Sequence, residues 1–425
     1  MNQTDFPKMA LLRMSLYEKE IGNISKEVAT SVASLSLDKK IKPGQTIAVS
    51  AGSRGIDRID EVTKSCVNTL KKMGAKPFIF PAMGSHGGAT AEGQKTVLAH
   101  NGISEKSMGV PVLSSMEAVK IGVTHRNVPV YLDRHAAEAD AIIVINRIKT
   151  HTKFEGDIES GLFKMMAIGM GKYQGASVYH RAAVDHGMEA IIIDAGLMVL
   201  ERCPVLFGLG VVENGLGRIT KIKAIPPDQM LDEEKRLLAL SKKIMSKIPF
   251  DHIDLLIVDE MGKNISGTGM DSKVIGRHRD LIGDFWIQPH PKRILVRDLT
   301  DLSDGNATGV GLADFITDRL AKKIDRDKTV INCLTGLSPE KAAIPIVFPT
   351  DKDAITAALK TVGMKEMNMI RIVHIKNTRN LNQMSVSEAL SPEIEHSSTI
   401  EQISPWLPMP FDLENNLISP FGDPT

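Results

Sequence analysis

Short aliphatic and β-branched runs recur along this chain, each the length of a strand and none the length of a membrane span. TIAVS at 46–50, AIIVI at 141–145 and LLIV at 255–258 are the clearest. They are continuous rather than alternating, so both of their faces must be covered. Longer segments of helical period lie between them. In EVTKSCVNTLKKMG, Val62, Cys66, Val67 and Leu70 fall on one helical face, and Gly74 stands where a C-terminal cap belongs. The strand, loop and helix rhythm predicts an α/β fold with mostly parallel sheets flanked by helices.

The rhythm runs twice. PFIFPAMGSHGG reads as a strand and a glycine-rich loop. ATAEGQKTVLAHNG reads as a helix stopped at Gly102, and VPVYLD and AAEADAIIVINRIKTH repeat the strand theme. LDEEKRLLALSKKIMSKIPFDH is an amphipathic charged helix expected to end at Pro249. IDLLIVDEMG, RILVRDLT, KTVINCLTG and MIRIVHIKN then read as further strands. A chain of 425 residues is long enough for two or three domains. The predicted division is a first α/β domain over 1–248 and a second over 249–385, with the active site in the cleft between them. A tail over 386–425 is expected to pack back on the first domain or to cover a surface.

Composition removes several classes of function. Lys and Arg number 52 against 51 Asp and Glu, which lacks the basic excess of a nucleic-acid binder or a polybasic membrane anchor. Cys66, Cys203 and Cys333 are far apart and form no CxxC pair. That argues against a cysteine-built zinc or iron–sulfur site and against a disulfide framework, and it fits a cytoplasmic location. The acidic, apolar-poor start reads against a signal peptide. Chemistry therefore falls to the histidines, lysines and glycine-rich loops.

In open α/β sheets, ligands bind beyond the carboxyl ends of the strands. Three loops there stand out. Gly52-Ser53-Arg54-Gly55 can hold an anion through backbone N–H groups and Arg54, although a solvated turn gives the same pattern. Gly84-Ser85-His86-Gly87-Gly88 exposes a histidine between glycines, a candidate acid or base or a loop residue without a role. Asn146 to Lys153 carries Arg147, Lys149, His151 and Lys153 in alternation, which an extended chain would place on one side. Lys164 follows in an apolar helical run, flanked by Leu162, Phe163, Met165 and Met166. There its charged form is disfavoured and its amine becomes nucleophilic, unless the side chain snorkels to water. Glycines 169, 171 and 175 are expected to end that helix before His180. These residues alone imply an enzyme using His and Lys on an anionic substrate.

At these positions the chain resembles the nickel-pincer lactate racemase family. Gly52-Ser53-Arg54-Gly55 resembles the family's Asp-His-Thr-Arg-Pro loop, and Gly84-Ser85-His86-Gly87 its Gly-Thr-His-Arg-Pro loop. His151 follows a buried strand, and Lys164 precedes His180 by 16 residues (180 − 164). The resemblance implies a racemase or C2-epimerase of 2-hydroxy acids that works by reversible, proton-coupled hydride transfer. It implies a nickel-pincer nucleotide, Ni(II) held by a pyridinium-3,5-bisthiocarboxylic acid mononucleotide, bound covalently to Lys164. His180 looks like the nickel ligand, His86 and His151 like the acid/base pair, and Arg54 and Ser53 like cofactor contacts. Arg54 also looks like a substrate contact, as does Lys273 of the second domain, while Asn306 is a polar loop candidate or a simple turn.

The first loop lacks the family's aspartate and threonine, and the second lacks its arginine. Ser160-Gly161-Leu162-Phe163 replaces Gly-Gly-Arg before the lysine. These differences imply a substrate other than lactate, a longer or sugar acid. The implied partners are that hydroxy acid and, transiently, the cofactor-making enzymes. The alternative is a nickel-free α/β enzyme using Lys164 as a Schiff-base or electrostatic residue on a small carboxylate. A non-enzymatic sensor or transporter of the cofactor precursor is a third reading, disfavoured by a lysine among apolar neighbours.

Overall fold

The computed structural model describes residues 6–37, 40–53, 55–281 and 288–422. The chain divides into two compact units, one of residues 18–245 and the other of 1–17 with 246–425. Fifteen strands lie among the described residues: β1 (Met9–Met14), β2 (Thr46–Ala51), β3 (Lys76–Pro81), β4 (Ala118–Val123), β5 (Pro129–Asp133), β6 (Ala141–Arg147), β7 (Val205–Glu213), β8 (Ile219–Ile225), β9 (His252–Met261), β10 (His290–Leu299), β11 (Phe315–Thr317), β12 (Ile346–Phe348), β13 (Ile372–Ile375), β14 (Gln383–Ser387) and β15 (Ile400–Gln402).

In the unit of 18–245 the sheet order is β3-β2-β6-β7-β8. All pairs are parallel except β7 with β8. The continuous apolar runs of β2 and β6 are its buried centre, as two-sided burial requires. The helix Ile59–Lys72 buries Val62, Cys66, Val67 and Leu70, the four positions its spacing marks. Gly74 follows it at a positive φ of 86°, a conformation that costs glycine nothing.

The other unit holds one sheet in the order β12-β11-β10-β9-β13-β14-β1-β15. From β12 to β13 the pairs are parallel; β14, β1 and β15 add antiparallel strands. Asp351 is fully buried at the first turn of the helix Asp351–Leu359. It accepts from Arg297 Nε at 2.9 Å, from Arg319 Nη2 at 2.7 Å and from the Leu417 N–H at 2.9 Å. Arg297 also bonds Asp259 and the Leu417 carbonyl, so this network pins the tail to the sheet.

Five expectations are corrected here. The boundary falls at 245/246, but the first 17 residues leave the first domain and β1 pairs with β14, because its apolar run MALLRM completes that sheet. The tail packs on its own unit, through β15 and the Leu407 to Met9 bridge. KTVINCLTG is part of the helix Arg326–Thr335: Asp325 caps it by accepting from Lys328 N–H at 3.0 Å, and Thr329 and Cys333 face inward one turn apart. VPVYLD forms a separate antiparallel hairpin, β4 with β5, outside the parallel sheet. The charged helix stops at Ile244, before Pro249. No helix among the described residues is long and apolar enough to cross a membrane.

Removing one partner of a buried ionic network leaves the others charged and unpaired. Asp351→Ala should therefore destabilise the unit of 246–425 by about 3 kcal/mol or more, read as a lower midpoint in guanidinium unfolding. A midpoint unchanged from wild type would show that the network holds nothing.

Candidate active site

The three loops that follow β2, β3 and β6 meet around the segment 161–171. Leu162–Lys164 forms one helical turn, and Met165–Gly169 continues it as a π-helix before the helix Lys172–His186. Single π-turns inside helices are uncommon and concentrate at functional sites. Lys164 is half-buried, and Leu162, Phe163, Met165, Met166 and Ala167 around it are buried, as their apolar character dictates.

Close backbone approach assembles the rest. The Gly84 N–H donates to Gly169 O at 3.2 Å. A Cβ on Gly84 would lie 3.2 Å from Ile168 O, and one on Gly169 would lie 2.7 Å from Ala82 O. The His86 loop thus seats directly on the π-helix, which only glycines permit. His86 itself is exposed, and its Nδ1 meets Ser53 Oγ in a short hydrogen bond. Two of the singled-out loops therefore join through their side chains.

His151 is half-buried and stacks on Phe154, with ring centroids 4.5 Å apart. Its backbone N–H donates to Glu159 Oε2 at 2.6 Å, and the Lys153 N–H donates to its Nδ1 at 3.1 Å. With Nδ1 accepting, the neutral ring carries its proton on Nε2. Burial lowers the His151 pKa well below the usual imidazole value, and the positive charges of Lys164, Lys153, His180 and Lys149 lower it further. Lys164 and His180 are thereby placed within electrostatic reach of His151.

Other expectations fare differently. The basic strip is not one face. Arg147 turns away to pair with Glu213, and the chain bends at Thr152 and Lys153 while Lys149 bridges to Ser160. Gly175 lies inside the helix Lys172–His186, packed against Tyr179, so His180 sits on a helix and not after one. Arg54 lies outside the described residues. Lys273 belongs to the other unit, buried in the turn Ser272–Ile275. Asn306 Oδ1 accepts from the Thr308 N–H at 3.1 Å and from its hydroxyl at 2.6 Å, the simple-turn alternative.

Two buried carboxyls escaped the sequence reading. Glu159 anchors the His151 loop and pairs with Lys242 at 2.7 Å. Glu234 accepts from the Phe163 N–H at 3.0 Å, at the head of the turn that carries Lys164. The signal for Glu234 was present: it lies four residues after Met230 and three before Leu237, on the apolar face of its helix. Burial pushes its pKa up to about 8, against the pull of the Phe163 and Leu162 N–H groups. Among the described residues, no three His, Cys, Asp or Glu side chains gather as a metal centre.

Residues 8–191 match the family model of the lactate racemase N-terminal domain. A crystal structure of a Thermotoga maritima protein is similar at 17% identity and a TM-score of 0.48, covering 64% of this chain and 69% of that one. The lactate racemase apoprotein of Thermoanaerobacterium thermosaccharolyticum is similar at 13% identity and a TM-score of 0.48, covering 87% and 85%. No curated protein matches the chain in sequence.

The raised Glu234 pKa sets a pH signature. Between the unfolded carboxyl value of 4.5 and the folded value of about 8, the folded chain holds a proton that the unfolded chain has lost. That contribution is present below pH 4.5 and is lost as pH rises through about 8. Glu234→Gln mimics the protonated carboxyl. It should raise Tm by about 2 °C or more at pH 8.5 and leave it near wild type at pH 5. Equal Tm values at both pH values would show that Glu234 is ionised throughout.

Proposed function

Residues 8–191 carry the N-terminal domain of the lactate racemase family, and on that premise we propose that the chain racemises or epimerises 2-hydroxy acids. One observation carries the proposal. Lys164 and His180 both lie within electrostatic reach of His151, and the His86 loop is seated through Gly84 and Gly169 on the π-helical segment that follows Lys164.

The residues fit a lysine-tethered nickel-pincer nucleotide. Lys164 is half-buried on an apolar turn, where its amine would carry the covalent bond. His180 offers a single imidazole, which suits a metal whose other donors arrive with the group. Lys149 and Lys153 supply positive charge for a phosphate or a substrate carboxylate. When bound, this group supplies the hydride-accepting chemistry that protein side chains lack.

The chain's own residues then handle protons and position. His151, its pKa lowered chiefly by burial, accepts the hydroxyl proton of one enantiomer, and His86 supplies the proton that forms the other. The His151 Nδ1 is engaged by the Lys153 N–H, which leaves Nε2 for the substrate. Ser53 Oγ and His86 Nδ1 share a hydrogen bond that orients the second imidazole. Two histidines serve two enantiomers, because each presents its hydroxyl to a different base. Arg54 is assigned to the substrate carboxylate. The expected setting is cytoplasmic, with the cofactor-making enzymes as transient partners.

After co-expression with cofactor-making enzymes, native mass spectrometry should show a covalent adduct on the Lys164 peptide. Lys164→Ala should abolish the adduct and the racemisation of a 2-hydroxy acid panel, followed by exchange of deuterium at C2. Racemisation that survives this substitution would sink the assignment. Activity that persists after nickel is stripped would favour a nickel-free enzyme using Lys164 on a small carboxylate. His86→Ala and His151→Ala should each cut turnover by about 10²-fold with the adduct retained; full turnover in both variants would end the two-base scheme.

A further inference from the structure

Lys172 begins the helix that carries His180, and three things about it are unusual together. Its side chain is fully buried. Its φ is 55°, in the left-handed region that residues with a Cβ avoid. Its ammonium is surrounded by fixed acceptors: Pro81 O at 2.6 Å, Asp133 Oδ2 at 2.9 Å and Gln94 Oε1 at 3.1 Å. Backbone strain of this kind persists only where surrounding contacts over-determine it, and it clusters at functional sites.

Gln94 shows what the contacts accomplish. It too is fully buried, on the helix Ala91–His100. With its carbonyl held by Lys172, its amide group faces the other way. Nε2 donates to Gly84 O at 2.9 Å and to His86 O at 3.3 Å. The loop bearing His86 is thus gripped at its first glycine and at the histidine itself. Glycines interlock at the same place: a Cβ on Gly87 would lie 2.6 Å from the Gly93 carbonyl carbon. Lys172 also reaches the ends of two strands, through Pro81 of β3 and Asp133 of β5. The Asp133 N–H donates to Met170 O at 2.8 Å. Burial lowers the Lys172 pKa, and the Asp133 carboxylate at 2.9 Å offsets part of that shift.

We propose that Gln94 and Lys172 are positioning residues: the Lys172 ammonium orients the Gln94 amide, and that amide fixes the His86 loop at the head of the helix carrying His180. Neither side chain touches substrate. They act through His86, and the catalytic part of this assignment rests on the acid/base role proposed above. The consequence is that one buried cation couples the placement of two site histidines on different elements.

Gln94→Glu in the full-length chain separates this role from simple stability. Its carboxylate still accepts from Lys172 but has no N–H for the Gly84 and His86 carbonyls. Hydrogen exchange read by mass spectrometry should rise about tenfold or more over residues 84–90. The helix Lys172–His186 should keep its wild-type protection. In the racemisation assay kcat should fall about tenfold with KM within about twofold, the pattern of a misplaced acid/base group. Gln94→Met, which introduces no charge, should loosen the same loop, and Lys172→Met should loosen it while also exposing the start of the His180 helix. Wild-type exchange over 84–90 in both Gln94 variants overturns the proposal. So does a rise spread evenly over the unit of 18–245, which marks general destabilisation. The exchange result stands without any assay of turnover, so failure to racemise would overturn the functional reading and leave the brace judged on its own.

Discussion

Backbone lies against backbone where the site is built, and nearly everything else about that unit follows from it. The loop after β3 rests on the π-helix through the Gly84 to Gly169 hydrogen bond, and on the next helix through Gly87 and Gly93. Side chains at these points would hold the segments apart by the width of a methyl group. Their absence seats the loop that bears His86 directly on the segment that follows Lys164. The loops need no long reach, because the parallel sheet already brings the carboxyl ends of β2, β3 and β6 side by side.

Such packing removes water, and the charges respond. Four cationic or potentially cationic groups, Lys149, Lys153, Lys164 and His180, act on His151, and its pKa falls well below the usual imidazole value. Carboxyls stabilise the same region from behind and keep out of the basic cluster. Glu159 holds the His151 backbone and Lys242, Glu213 draws Arg147 aside, and Glu234 sits at the head of the Lys164 turn. The near-zero net charge of the whole chain thus conceals a local separation of sign.

The sheet strands and the histidine-bearing loops were legible because burial on both faces and glycine-flanked histidines leave strong one-dimensional marks. TIAVS, AIIVI and the face of Val62, Cys66, Val67 and Leu70 stand where their patterns put them. KTVINCLTG failed because β-branched content is a weak guide beside a cap, and Asp325 supplies one. The alternation at 147–153 failed because an ion pair at Arg147 and a bend at Thr152 and Lys153 outweigh strand geometry. Gln94 and Lys172 were invisible for a different reason. A polar residue in a helix of mixed character looks solvated until the fold shows that it is enclosed. The discontinuous second unit was hidden too, since nothing local in MALLRM says that its neighbour is residue 387.

That pairing of Met9 with Ser387 carries a consequence for biosynthesis. A chain made from its N-terminus produces β1 first, yet both neighbours of β1, β14 and β15, are made near the end. The whole run of 18–245 can reach its own sheet in the meantime, since it is continuous and self-contained. β1 meanwhile stays an unmatched apolar segment at the ribosome exit, with its hydrogen-bonding edges open to any other strand. β1 is made long before the strands that pair with it, so its pairing closes the longest sequence separation in that sheet and is expected late in folding.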